Sequence, residues 1–598
     1  MVAFLALNIF LISMVVLPAL HQVYFTAKAI ILVAGACICS ILLIKNQKLK
    51  IVVPLFSGLN SILIMSYFLI VVLFSTLGGS ASLTWTFLMS GLVLFVTTMC
   101  LDPVSAYKLR SWFFSMAVLQ AVVVAAQLIW PEFWQNMNIG FEVKRSSGLV
   151  GNREFLATFL SVGLLLQFPY AQKLKEEKNL FFITGAILIL AGLWIIQSKG
   201  TLFLLCLIWG RPLLSRFPKT YWSSATFAIL TISLLSQSVR GRLLIWFVGL
   251  KMGLDHLPWG VGTGNFGKYY LTSLVEIFAR FPILRTNLGD TAGAIDEAHN
   301  LIINSFAEMG LPGLVSSLFV FIGLFRIYKR FRAREVEADQ VDSGLILLLM
   351  GKLTYTVVLL SPVSVASFAI GLGLTLKKEF LTEDSKFFND RPVKLRLSRP
   401  LVNGGLMILM AAACISLFHF CVAENLYSNG YKSLRSGDLK LAKSQFEKLT
   451  ERYPNHSDAW LGLAFVAVNS LPTQDPGPYV KVAMELNPDF NTLKISAKSF
   501  LLAGDCYHAQ EIYRNIHMAF PQHLSSISGL AQCALTLGDK KSAAYYAQLL
   551  IKTEPRVPTK TYGLNLLSAE GILEKIRQQD SSENTREETK REKKYHTK

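Results

Sequence analysis

The sequence predicts an all-α protein: a polytopic membrane helix bundle of about 12–13 spans, followed by an α-solenoid of helical repeats. Three observations lead there. Of 598 residues, 52% are hydrophobic and only 16% charged, whereas soluble domains carry about a quarter charged residues, and the mean hydropathy is +0.44. Apolar runs near the length that crosses about 30 Å of hydrocarbon recur from the first residue. Beyond residue 424 those runs stop, and Pro454, Pro488, Pro521 and Pro555 follow at intervals of 34, 33 and 34 residues.

The apolar segments fall at 1–20, 26–44, 51–77, 83–100, 111–130, 154–170, 180–197, 200–215, 221–238, 300–325, 342–360, 362–376 and 401–423. Met1–Leu20 has neither a basic n-region nor a small-residue cleavage site, so it reads as the first span rather than a signal peptide. The pair around Ser361-Pro362 reads as a tight hairpin or a re-entrant element, and the 200–215 run is interrupted by Arg211-Pro212.

A net charge of +19 has two readings, nucleic-acid binding and the positive-inside bias of a multi-span protein. Position decides between them. Lys45, Lys48 and Lys50, then Lys173, Lys175 and Lys178, then Arg211, Arg216 and Lys219 lie between apolar segments. So do Arg326, Lys329, Arg330, Arg332 and Arg334, and the run from Lys377 to Arg399. With alternating spans all fall on one side, which is then cytoplasmic, and the uncharged Gly78–Ser82 loop faces the other side. No nucleic-acid partner is implied. The chain divides into a membrane part, 1–423, with a long external loop at 239–298; an external repeat region, 424–575; and a charged tail, 576–598, too polar to fold.

Within the repeat region Gly-Asp recurs in phase at Gly437-Asp438, Gly504-Asp505 and Gly538-Asp539. A small residue follows each Asp (Ala442, Ala509, Ala543), with an aromatic beyond two of them (Phe446, Tyr513). Small residues let paired helices approach, the aromatics fill the gap, and proline ends the second helix. This period and pattern resemble the tetratricopeptide repeat. The second repeat, with Trp460, Leu463 and Ala483, departs at its inner turn, where Leu471-Pro472 and Gln474–Pro478 replace Gly-Asp. Such an array makes a binding surface rather than a catalyst. Cys506 and Cys533 lie in adjacent repeats and could pair; no Cys/His metal spacing occurs.

The residues suited to chemistry are in the external loop. Arg240 and Arg242 open it, Asp255–Phe266 carries Pro258, Gly260, Gly262 and Gly264, and Asp296-Glu297-Ala298-His299-Asn300 closes it. Gly262-x-Gly264-x-x-Gly267 matches a dinucleotide fingerprint only formally, because no strand precedes it; the glycines fit a turn with positive φ. A guanidinium forks onto phosphate oxygens, and a histidine near neutral pKa can take a proton from a hydroxyl. Together they suit transfer from a phosphate-linked donor at the membrane surface. The plainer alternative is an interfacial histidine satisfied by Asn300, with snorkelling arginines.

His299-Asn300, nine residues, then Gly310-x-x-Gly313 resembles the His-Asn…Gly-x-x-Gly motif of the bacterial O-antigen ligase superfamily. That superfamily comprises O-antigen ligases, O-linked protein oligosaccharyltransferases and O-antigen polymerases. The stretch Arg242–Phe266, with an Arg, a Trp and Pro-x-Gly-x-Gly-x-x-x-Phe, is similar to the family's loop. Ser198-Lys199-Gly200 stands where many members have Ser-Arg-Gly; lysine keeps the charge and loses the bidentate fork. The resemblance is clearest over 180–325. It implies a C-type glycosyltransferase fold in the bacterial inner membrane, with the repeats in the periplasm. It also implies a glycan donor on undecaprenyl pyrophosphate and metal-independent transfer, without a cofactor, to an acceptor hydroxyl. His299 would activate the acceptor; Arg242, with Arg240 as its rival, and Lys199 would hold the pyrophosphate. Asp296 and Glu297 would orient His299 or bind acceptor, and Asn300 would lie in the substrate site.

Two rivals remain at this level, besides a polymerase of the same superfamily: a polytopic transporter carrying a repeat module, and a scaffold in which only the repeats matter. Lys251 and Lys352 are exceptional charges near segment ends. The acceptor reads as a protein or lipid A core. The repeats favour a protein acceptor or partner.

Overall fold

In the computed structural model the described residues are 1–16, 25–45, 71, 83–136, 147–171, 176–214, 237–289, 291, 293–333, 337–355, 361–381, 399–470, 473–553 and 560–596. Among them every regular element is helical, and four helices are long and apolar enough to cross a membrane: Phe25–Lys45, Pro103–Ile129, Leu301–Lys329 and Asn403–Ser436. Shorter apolar helices accompany them. The expected segments at 51–77 and 221–238, the Gly78–Ser82 loop, most of the basic loop residues, Leu471-Pro472 and Pro555 lie wholly or largely outside the described residues.

The elements in order are α1 (Val2–Met14), α2 (Phe25–Lys45), α3 (Leu83–Met99), α4 (Pro103–Ile129), α5 (Pro131–Asn136), α6 (Arg153–Ala171), α7 (Glu176–Ile195) and α8 (Lys199–Leu214). There follow α9 (Gln237–Asp255), α10 (Phe266–Arg280), α11 (Pro282–Leu288), α12 (Leu301–Ala333), α13 (Glu337–Tyr355), α14 (Pro362–Leu381) and α15 (Arg399–Ser436). The C-terminal part consists of α16 (Leu439–Arg452), α17 (Ser457–Asn469), α18 (Gly477–Leu486), α19 (Phe490–Leu502), α20 (Cys506–Ala519), α21 (Leu524–Thr536), α22 (Lys540–Lys552) and α23 (Lys560–His596).

The chain forms two compact units. The first comprises Met1–Thr231, Gly253–Gly264 and Glu297–Asn425. Its core is apolar, with α14 packed on α2, α3 and α6, and α4 on α1, α6 and α7. Glycine permits the closest approaches: a Cβ at Gly163 would collide with Ala117, and one at Gly185 with Phe114. Two of the polar side chains buried here are held by backbone carbonyls. Arg110 donates to Leu374 O at 2.6 Å and Leu166 O at 3.4 Å, and Gln120 to Ser13 O at 2.7 Å.

The second unit comprises Ile232–Met252, Asn265–Asp296 and Leu426–Lys598. Consecutive helices pair along it, and at three turns the inner residue is a left-handed glycine: Gly437 (φ +83°), Gly504 (φ +82°) and Gly538 (φ +80°). The Asp after each glycine caps the next helix, accepting from the amides of Leu441, His508 and Ser542. The Gly-Asp signal is thus a left-handed turn joined to an N-cap. The residues in phase behind it, Ala442, Phe446, Ala509, Tyr513 and Ala543, are buried. In the departing repeat Gln474 N donates to Ala467 O at 2.9 Å, and α18 starts at Gly477 behind Pro476.

Two expectations differ from the structure. The segment 239–298 carries helices through much of its length, α10 having a periodic apolar face of Phe266, Tyr270, Leu271, Leu274, Ile277 and Phe278. Within the second unit this face packs on α19 and α20, Lys268 Nζ donates to Leu486 O at 3.1 Å, and Gly289 lies against Pro521. The charged tail continues α23 as helix to His596, because its Glu, Gln, Lys and Arg residues favour helix despite their polarity. Cys506 and Cys533 are both buried free thiols.

Candidate functional site

His299 sits in the turn before α12, with a positive φ of 52° that a side-chain-bearing residue adopts only under constraint. Its neighbours supply that constraint. Asn300 caps α12: its Oδ1 accepts from the amides of Ile302 (3.0 Å) and Ile303 (3.2 Å), and its Nδ2 donates to Thr354 O (3.2 Å) on α13. Asn304 Oδ1 accepts from Ala298 N at 2.9 Å, on the other side of the turn. The imidazole is left 38% exposed, with Nδ1 3.3 Å from Glu297 Oε1. Asn300 therefore serves the backbone, and Glu297, rather than Asn300, is the group beside the ring.

Beyond the first turns α12 breaks at Gly310 (φ +60°, ψ −141°) and resumes at Leu311-Pro312. Pro312 suits a helix start, where no amide donor is needed. Into the break fits the segment 256–262: Val261 N donates to Ala307 O (2.9 Å), Gly262 N to Glu308 O (2.8 Å) and Leu311 N to Pro258 O (2.9 Å). Side chains are excluded from this junction. A Cβ at Gly310 would strike the Pro258 carbonyl, one at Gly260 would lie 2.5 Å from the Glu308 carbonyl carbon, and one at Gly313 would strike the Ser305 carbonyl. The Pro-x-Gly-x-Gly and Gly-x-x-Gly patterns thus interlock, although separated in sequence.

Lys199 is exposed in the first turn of α8, two residues after Gln197, which also holds a positive φ of 54°. A lysine at a helix N-terminus opposes the helix dipole. Behind it lies a polar cluster that the sequence did not disclose. Lys352 Nζ on α13, wholly buried, donates to Thr201 Oγ1 at 2.6 Å and to Glu154 Oε2 at 3.3 Å. Ser198 Oγ donates to Glu154 Oε2 at 3.1 Å and is 2.8 Å from Thr201 Oγ1. The end of α13 therefore holds two turns at once, the Lys199 turn through Lys352 and the His299 turn through Asn300 and Thr354. The signal available in sequence was a lone lysine in an apolar run; its partner stands 198 residues away.

Lys199, Glu297, His299 and Asn300 belong to the first unit; Arg240, Arg242 and Asp296 belong to the second. Arg240 and Arg242 are half-buried on the first turns of α9, where Gly241 lies against the Thr291 carbonyl. Arg240 Nε is buried without a hydrogen-bond partner. Asp296 sets its carboxylate against Gly267 in the first turn of α10, where the helix dipole favours negative charge. Lys251 pairs with Glu276 at 2.6 Å. Among the described residues, no three His, Cys, Asp or Glu side chains converge as metal ligands do.

No protein-family model matches the chain, and no curated protein matches it.

Proposed function

We propose that this protein transfers a glycan from an undecaprenyl-pyrophosphate-linked donor to an acceptor hydroxyl at the periplasmic face of a bacterial inner membrane. This is a metal-independent glycosyltransferase reaction of the O-antigen ligase or protein O-oligosaccharyltransferase type. The observation that carries the reading is His299: a half-exposed imidazole held at positive φ, with Nδ1 against Glu297. A carboxylate at Nδ1 keeps the proton there and leaves Nε2 as the base, which can take the acceptor's proton as its oxygen attacks the sugar. The family resemblance assigns Arg240, Arg242 and Lys199 to the pyrophosphate, whose departure positive charge would stabilise; within the second unit, the unpartnered Nε of Arg240 is donor capacity that a phosphate oxygen would satisfy. Asp296 and Asn300 act on this reading through the turns they hold. The C-terminal unit is read as a periplasmic tetratricopeptide-repeat solenoid for a protein partner, which favours a protein acceptor over lipid A core.

His299→Ala should abolish glycan transfer in a strain lacking the native gene while protein level and membrane insertion stay at wild-type values. Wild-type transfer by a well-expressed variant overturns the assignment. Glycoprotein staining beside lipopolysaccharide profiles of the deletion strain identifies the acceptor. The wholly buried Lys352 beside Glu154 favours a second reading, a transporter, since charges inside an apolar bundle often mark a translocation path. On that reading Lys352→Met, and not His299→Ala, stops the activity.

A further inference from the structure

In the second unit, the end of α15 together with α17 and α19 lines a groove of about 790 Å³, within the ~300–1,000 Å³ range of ligand sites. Its charge is one-sided: Arg435, Lys494 and Lys498 face it against one carboxylate among the described lining residues, Asp458. None of these cations has a carboxylate partner among the described residues. Arg435 lies over the Tyr431 ring at 4.8 Å, Lys498 over the Phe465 ring at 5.8 Å, and Lys494 Nζ donates to Asn491 Oδ1 at 3.4 Å. Beside them Tyr427 and Tyr431 stack at 6.3 Å into an aromatic wall.

We infer that this groove binds an acidic segment of a partner protein, its carboxylates on Arg435, Lys494 and Lys498 and an apolar side chain against the Tyr427–Tyr431 wall. Charge complementarity selects the sign of the partner, and low-dielectric walls focus the field of unpaired cations into a cleft. The apolar lining selects the class. A peptide brings carboxylates and apolar side chains together, matching the three cations and the Leu434, Leu461, Phe465 and Ile495 carbons that share the lining. The inference rests on the repeat-scaffold part of the reading above and is independent of glycan transfer.

The test uses the full-length protein in nanodiscs and fluorescence anisotropy of a twelve-residue peptide alternating Asp/Glu with Leu/Tyr, against its Asn/Gln counterpart. The acidic peptide should bind at least about tenfold tighter than its amide counterpart and weaken as salt rises from 50 to 500 mM. Arg435→Glu and Lys498→Glu, both at exposed positions, should each weaken it about tenfold or more. Lys448→Glu, an exposed change outside the groove lining, should leave it unchanged. Equal binding of the amide peptide, an unaltered affinity in Arg435→Glu and Lys498→Glu, or displacement by a sulfated glycan at lower concentration than by the peptide overturns the inference. Because no transfer is measured, an inactive His299 site leaves the result unaffected.

Discussion

The Lys352 ammonium is wholly removed from water, and its partner Glu154 keeps 24% side-chain exposure. Removing one member of a buried pair strands the other, at about 3–5 kcal/mol. Lys352→Met should therefore destabilise the protein by about 3 kcal/mol, the low end applying because Glu154 still reaches solvent. Glu154→Gln combined with Lys352→Met should recover at least half of that loss. Thermal unfolding in one detergent tests both, and a Lys352→Met protein as stable as wild type would show that the pair carries no such coupling. His299, Asn300 and Lys199 are singled out in the sequence chiefly by their resemblance to a family motif. Lys352 stands out there as a lone charge near a segment end, but its meeting with Glu154 and Thr201 could not be read, because it depends on three helices converging.

Glycines at element ends separate two kinds of constraint. Gly437 turns at φ +83° in open space, so Gly437→Ala should cost only the left-handed backbone, about 1–2 kcal/mol. Gly310 has a positive φ and also the Pro258 carbonyl where a Cβ would stand, so Gly310→Ala should cost clearly more and should detach 256–262 from the break in α12. Hydrogen exchange at Val261, Gly262 and Leu311 reads that detachment directly; unchanged protection there would refute it. The sequence supplied both sets of glycines but not their difference. The Gly-Asp turns are local and repeat in phase, whereas the Gly310 junction is closed by residues some fifty positions earlier. The periodic apolar face of α10 is also written in the sequence, inside the segment expected as an external loop between apolar runs.

At the scale of the molecule, the C-terminal unit contains a pH sensitivity of its own. Burial, helped by Arg285, holds His517 down at about 4 from an ordinary 6.5; burial, helped by Lys494 and His517, holds His523 at about 4. Both are neutral in the fold through the range where the unfolded chain takes up protons. Stability should therefore be full above about pH 6.5, fall as pH drops from about 6.5 to about 4, and level off below. Exchange-monitored unfolding of residues 457–552 between pH 7 and pH 4 measures this, and His517→Gln with His523→Gln should flatten the slope. A slope unchanged in that double variant assigns the effect elsewhere.

Composition and hydropathy by themselves determined an all-helical chain with apolar, membrane-length helices, and the 34-residue beat of proline, glycine and aspartate determined where helix pairs begin. These properties are written in neighbouring residues, through burial periodicity, chain length and turn chemistry. Only the tertiary structure decided that residues 265–296 pack with the repeats, that Asn300 is a cap while Glu297 accompanies His299, and that Lys352 holds the Lys199 turn. Each of those depends on side chains brought together from distant parts of the chain, where packing of complementary surfaces sets the partner and local propensity is silent.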